Sequence, residues 1–430
     1  MKKKSALVSL AALASVAAFA MPEVEDLEVS QNKDRVVTIS FNLTEKAIVT
    51  MDITTNGVSI GAENYQTLRE PLSPKDQFPA NRIMDAGEHV WMWRPSKEWP
   101  GYNFANGEFK VTVQAWSFDA PPDYMVIDSN VKSNAMFYAK VEDLPHGGVK
   151  TADPDDSEAV AALMGDVYRT TKLILRKIPA AGVKWRMGSP SDEPNRQSGE
   201  IAHYVTLTND YYVSIYPLTF TQVMEFFNTS DSKSINPKYN LAYKTSRGDP
   251  ASGYCWPDDG YEVAPGSYFG YMRKLTGLRF DFLTEAEWEY ACRAGTDGRW
   301  NHDGDSPNEV AWTAYTSEAK GHVVGLKKPN AWGLYDMHGL VQEWVLDQYG
   351  PYPEESVIAP VGVSTNVSNR ILRGGPKAVK VNGAYSKSPQ ISTRSAYRTN
   401  DAMTKREDGN NNGYGARISC PASLPEWMRK

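Results

Sequence analysis

The side chains able to do covalent or metal chemistry are few and scattered in this chain. There are three cysteines, Cys255, Cys292 and Cys420. In an oxidising compartment two of them could pair and leave the third free or buried, and separation in sequence does not choose the pair. The six histidines are His89, His146, His203, His302, His322 and His338. None has a second histidine four residues away, and no His-x-x-x-His-x-Glu occurs, so no helix face offers two imidazoles to one ion. His89 alternates with Trp91 and Trp93, as a structural strand residue does. The loop "NHDGDSPNE", Asn301 to Glu309, is rich in oxygen donors but lacks EF-hand spacing, and reads as a solvated turn. The densest stretch is "NAWGLYDMHGLVQEWVLDQYG", Asn330 to Gly350, which sets Glu343 beside Trp344.

What positions these residues is read from periodicity. Residues 22–140 alternate with period 2: Val37, Ile39, Phe41 and Leu43, then Ala47, Val49, Met51 and Ile53, then Phe109, Val111, Val113 and Ala115. Asn56-Gly57 and Asn106-Gly107 punctuate these runs as hairpin turns do. The expectation is an Ig-like β-sandwich over 22–140. Residues 141–170 are rich in Pro, Gly and Asp and read as a linker. From 171 to 421 the pattern becomes mixed. In "TFTQVMEFFN" Val223, Phe226 and Phe227 share a helical face. In "TEAEWEYACRAG" Thr284 and Glu287 form a capping box, and Gly295 stands where a helix end wants a left-handed residue. Much of the remainder is loop, ending in a tail over 422–430. The fold class is therefore α+β.

Composition bounds the partners. The net charge is −6, with 23% charged and 41% hydrophobic residues. That balance suits a soluble globular protein and gives no electrostatic reason to seek nucleic acid. The aromatic fraction of 11% suits large cores or ligand stacking alike. Residues 1–20 carry Lys2–Lys4, an apolar run to Phe19 and the small-residue site Ala18-Phe19-Ala20. They read as a cleaved signal peptide, so the expected location is secreted or periplasmic. The run is too short for a membrane span.

Six segments, "RMGSP", "FLTEAEWEYACRAGT", "NAWGLYDMHGLVQEW", "RILRGG", "RSAYR" and "GARISC", occur in the order found in the formylglycine-generating-enzyme family, the sulfatase-modifying-factor domain with a C-type-lectin-like core. The chain resembles that family over roughly residues 170–421. The resemblance implies a domain of low regular secondary structure, in which Glu285, Trp288, Asn330, Gly333, Glu343 and Trp344 are fold-motif residues. It also implies where chemistry would sit. The copper oxidases of the family hold Cu(I) with two cysteines after their "RGGS" segment. Here Arg373, Gly374 and Gly375 match, Pro376 replaces the serine, and no cysteine lies between Pro376 and Arg398. A soft ion needs soft donors, so copper has no site and no catalytic residue is assigned. The iron branch of the family needs two or three imidazoles, and the histidines are dispersed. Family members that bind calcium near the aromatic-glycine loop carry Asn where this chain has Leu340. Calcium is left with Glu343 and backbone carbonyls, and the identity of any metal is unknown.

The motif residues left on the family's active-site face are Arg373, Arg394, Arg398 and Arg417, with Asn410, Asn411 and Asn412 and with Tyr385, Tyr397 and Tyr414. They read either as a ligand face for a protein, peptide or glycan, or as buried arginines holding loop carbonyls. Two functions follow. One is a secreted pseudoenzyme acting as a binding or scaffold module. The alternative is an oxidoreductase of the same superfamily working through an unrecognised site.

Overall fold

The computed structural model describes residues 21–71, 78–98, 109–130, 135–227, 233–254, 256–257, 261–313, 316–317, 321–360, 362, 369–375, 380–381, 384–385, 392–405 and 413–425. The signal-peptide expectation for residues 1–20, and the tail beyond 425, lie outside them.

The chain first forms two small antiparallel sheets. One is ordered Val24–Gln31, Val37–Leu43, Gly87–Trp93. In the other, Ala47–Thr55 pairs with Val58–Ser59, Arg82–Met84 and Phe109–Trp116. The period-2 residues face inward as their alternation requires. Val37, Ile39, Phe41 and Leu43 of one sheet and Val49, Met51 and Ile53 of the other are buried in one core with Trp91 and Trp93. His89 stacks on Phe41 and bonds Glu70 through Nδ1 at 2.9 Å, a structural placement.

The sandwich ends earlier than its expected limit at residue 140. Strands Tyr124–Asp128 and Ala135–Tyr138 belong to a five-stranded sheet with the order Ser419–Pro421, Tyr211–Ser214, Lys172–Ile178, Tyr124–Asp128, Ala135–Tyr138. Leu173 sits opposite Ile127, and Leu175 opposite Met125. Three of these five strands come from the part of the chain after residue 170, so the sheet ties that part to the sandwich that precedes it.

The expected linker over 141–170 is likewise corrected, because several of its side chains are packed into the core. Tyr168 and Arg169 are fully buried, and Leu144 and Leu163 lie in the main core. Tyr168 donates to the carbonyl of Pro145 at 3.0 Å, and Arg169 Nε donates to the carbonyl of Val324 at 3.0 Å while its guanidinium pairs with Asp166. Asp156 caps the short helix Ser157–Ala162. The Pro/Gly/Asp composition of the stretch reflects turns between these anchors. The tail expected from 422 also begins later: Ala422 and Leu424 are buried, and the Leu424 N–H donates to the carbonyl of Phe118 at 3.0 Å.

The C-terminal half adds a four-stranded sheet, Thr399–Ala402, Asn369–Arg373, Gln342–Gln348, Tyr414–Gly415, and a three-stranded one, Lys184–Met187, His203–Thr206, Val357–Ile358. The helix Glu285–Arg293 crosses between them. Its capping box forms as expected, Thr284 Oγ1 accepting from Glu287 N at 3.1 Å and Glu287 Oε2 from Thr284 N at 2.8 Å. Its left-handed cap residue is Ala294, at φ 46°, with Gly295 following at φ 91°. In Phe220–Phe227, Val223 and Phe226 are buried.

Candidate functional site

The family motifs converge on the helix Glu285–Arg293, which puts Glu285 and Glu289 one turn apart on a single face. Each carboxylate meets an arginine from a distant segment. Arg398 donates to Glu285 in a bidentate fork, Nε at 2.8 Å and Nη2 at 2.7 Å. Arg373 pairs with Glu289, and Arg293 pairs with it from the helix itself at 2.8 Å. Burial pushes the Glu289 carboxyl up, but Arg293 and Arg373 outweigh it and hold the group below the usual range. Arg373 Nη1 also donates to the carbonyls of Ala396 and Tyr397 at 3.0 and 2.8 Å. Arg394 donates to Glu193 at 2.5 Å and to both oxygens of Glu200, at 2.8 and 2.7 Å.

The stretch from Asn330 to Gly350 is wired into the same interior. Asn330 Oδ1 accepts from the N–H groups of Trp332 and Leu334 at 3.0 and 3.1 Å, and its amide donates to the carbonyl of Ala291 at 2.7 Å. The loop is thereby pinned to the helix end. Gly333 takes φ 77° in the turn this creates. At Gly339 a Cβ would stand 2.5 Å from the carbonyl oxygen of Trp312, so only glycine fits. Leu340 holds a left-handed backbone, φ 71°, while its side chain is buried. A bulky residue is costly there, and its burial in the core supplies the offset. Trp288 Nε1 donates to Glu343 Oε2 at 2.7 Å, and Arg417 pairs with Glu343 at 3.0 Å. Trp344 Nε1 donates to the carbonyl of Leu241 at 2.7 Å. Glu285, Trp288, Asn330, Gly333, Glu343 and Trp344 thus all lie inside the domain or at its turns.

The four arginines do not form an exposed face. Arg373, Arg394, Arg398 and Arg417 are buried, with carboxylates as their main partners. Desolvating a guanidinium without a matched anion costs several kcal/mol, and these acids supply the match. Tyr414 is buried as well, its hydroxyl donating to Asp401 at 2.7 Å. Asn410, Asn411 and Asn412 lie outside the described residues, as does the side chain of Tyr385. Glu193 and Glu200, the partners of Arg394, sit in a Ser/Pro/Asp/Asn loop that gives no sequence signal for burial.

The donor set for a soft metal does not fit either. Cys292, on the helix, is buried 3.7 Å from the His338 ring. Its thiol is pushed up to about 12 by burial, and burial takes the His338 imidazole down to about 3. His338 is therefore neutral. Its Nε2 accepts from the Asn301 N–H at 3.1 Å, which leaves Nδ1 to donate to the Thr393 carbonyl at 2.8 Å. The pair is a thiol and a neutral imidazole, not a thiolate and an imidazolium. Cys420 is buried in a second core cluster, separate from that of Cys292, and burial raises its thiol too. Cys255 lies outside the described residues. Among the described residues no three His, Cys, Asp or Glu side chains converge as metal ligands would.

A family model described as the sulfatase-modifying factor enzyme 1-like domain matches residues 177–418. Over 188 residues the chain is 26% identical to serine/threonine-protein kinase pkn1 of Chlamydia pneumoniae, covering 42% of this chain and 30% of that protein. Over 108 residues it is 35% identical to the formylglycine-generating enzyme of Streptomyces coelicolor, covering 21% of this chain and 34% of that one. The chain spans about a third of the length of these curated relatives. Among solved structures, PvdO from Pseudomonas aeruginosa aligns at a TM-score of 0.45 and 24% identity, over 58% of this chain and 94% of that one. Treponema denticola variable protein 1 aligns at 0.43 and 21%, over 58% and 95%.

Proposed function

This chain belongs to the sulfatase-modifying factor enzyme 1-like family, and from that premise we propose that it is an exported, non-catalytic binding or scaffold module built on the family fold. The observation that carries the reading is the placement of sulfur. No cysteine lies between Pro376 and Arg398. Cys292 and Cys420 are buried and protonated in different core clusters. A Cu(I) oxidase needs two thiolates together on an accessible face. The buried arginines support the same reading, since the motif residues of the helix and the Asn330–Gly350 stretch are spent on one another. The export half rests on the composition of residues 1–20, and N-terminal sequencing of the mature protein should start at Met21.

Titration of purified protein with Cu(I) against a competing chelator tests the non-catalytic half. The chelator is expected to retain the copper. A stoichiometric complex that withstands the chelator, and is lost on Cys292→Ala or Cys420→Ala substitution, would refute the reading.

A further inference from the structure

In the C-terminal half the strong polar groups are mostly paired within the protein, which makes the exceptions informative. Between the edge strand Ser419–Pro421 and the start of the helix Glu285–Arg293 lies a cleft of about 570 Å³, within the range of small-molecule sites. Its wall includes buried Leu278, and Tyr261 stands at its rim with 43% of its surface exposed. Asp281 also lines it, but is already paired with Arg247 and Arg273 at 3.1 Å each. Three other charged groups of the lining are not consumed. Asp210 takes the N–H groups of Ala180 and Ala181 on Oδ1, at 2.8 and 2.9 Å, and its Oδ2 has no hydrogen bond among the described residues. Glu287 takes the Thr284 N–H on Oε2, with the Thr284 side chain bonded to the same carboxylate, which meets no other residue's donor among the described residues. Arg279 is exposed and has no hydrogen bond or ion pair among the described residues.

We propose that this cleft is the ligand site of the module and takes a neutral saccharide, an inference that rests on the binding-module reading. The donor and acceptor balance selects the class. The two carboxylates ask for O–H or N–H donors, and one guanidinium asks for acceptors. An anionic ligand meets two carboxylates, and a cationic one meets Arg279. A sugar hydroxyl both donates and accepts, so a polyol satisfies all three without bringing a charge. The carbon face of a pyranose packs against the Tyr261 ring and the apolar wall at Leu278. The carboxylates are preset by bonds to the backbone, so binding does not have to order them.

The test uses the full chain and three neutral disaccharides, cellobiose, maltose and diacetylchitobiose, with putrescine and citrate as charged probes. Saturation-transfer NMR and calorimetry read binding. At least one disaccharide should bind saturably, and Tyr261→Ala and Arg279→Ala should each weaken it about tenfold with the melting temperature unchanged. The proposal is overturned if no disaccharide binds, if binding survives both substitutions, or if putrescine or citrate saturates the cleft instead. The copper titration reads thiols alone, so failure of one experiment leaves the other intact.

Discussion

Asp347 accepts a 2.6 Å hydrogen bond from the backbone N–H of Glu285. Burial, and next the charge of Glu285, push its carboxyl up to about 8. In the unfolded chain an aspartate titrates near about 3.9. Between those values the folded state holds a proton that the unfolded state has lost. The stability Asp347 contributes is thus fully present below about pH 4 and is lost as pH rises through about 8. Asp347→Asn should keep the acceptor and remove the titration. Denaturant unfolding from pH 5 to 7 should show a slope less negative by up to about 1.4 kcal/mol per pH unit; equal slopes in both proteins would refute this. Legibility at this scale was uneven. Arg373, Arg394, Arg398 and Arg417 stood out by motif. Their burial was one of two open readings, but their carboxylate partners were not legible: arginine is ordinarily exposed, and the carboxylate that Arg394 meets, Glu200, lies 194 residues earlier in the chain. The Asp210 and Glu287 carboxylates had no signal at all, since only the fold brings them to one cleft.

The helix Glu285–Arg293 was legible because its signals are local. The capping box needs only Thr284 and Glu287 three residues apart, and it forms. Thr284→Ala should cost about 1 kcal/mol of unfolding free energy, read by chemical denaturation, with Thr284→Ser close to wild type. Strands with one wet face were legible for a similar reason, as Val37–Leu43 shows by alternating buried and half-buried residues. The pairing of Tyr124–Asp128 is not legible in the sequence, because its burial does not alternate. Met125, Val126 and Ile127 are all buried, and a strand covered on both faces does not announce its neighbour. Its pairing with Lys172–Ile178 carries a prediction. A truncated chain starting at residue 171 leaves that central strand as an edge, with Leu173 and Leu175 uncovered. It should aggregate or melt without cooperativity, whereas a chain starting at 119 should be more soluble and melt at higher temperature. Equal behaviour of the two in calorimetry would show that the strands are dispensable.

At the scale of the whole molecule, one core cluster runs from Val37 in the sandwich to Ile371 in the C-terminal half. The two halves therefore behave as one packed body rather than beads on a linker. The interior of the family domain is held by ion pairs, Glu285 with Arg398, Glu289 with Arg373 and Arg293, Glu343 with Arg417, that use the motif residues as scaffold. The segment from Pro376 to Arg398 carries no cysteine, which is the ground on which the proposed reading assigns no oxidase activity. The most direct measurement is mass spectrometry of a sulfatase-type cysteine peptide after incubation with the full chain, Cu(I) and oxygen. The thiol is expected to survive, with no more aldehyde than copper alone produces. Aldehyde formed over multiple turnovers, and abolished by Cys255→Ala or Cys420→Ala, would contradict that expectation.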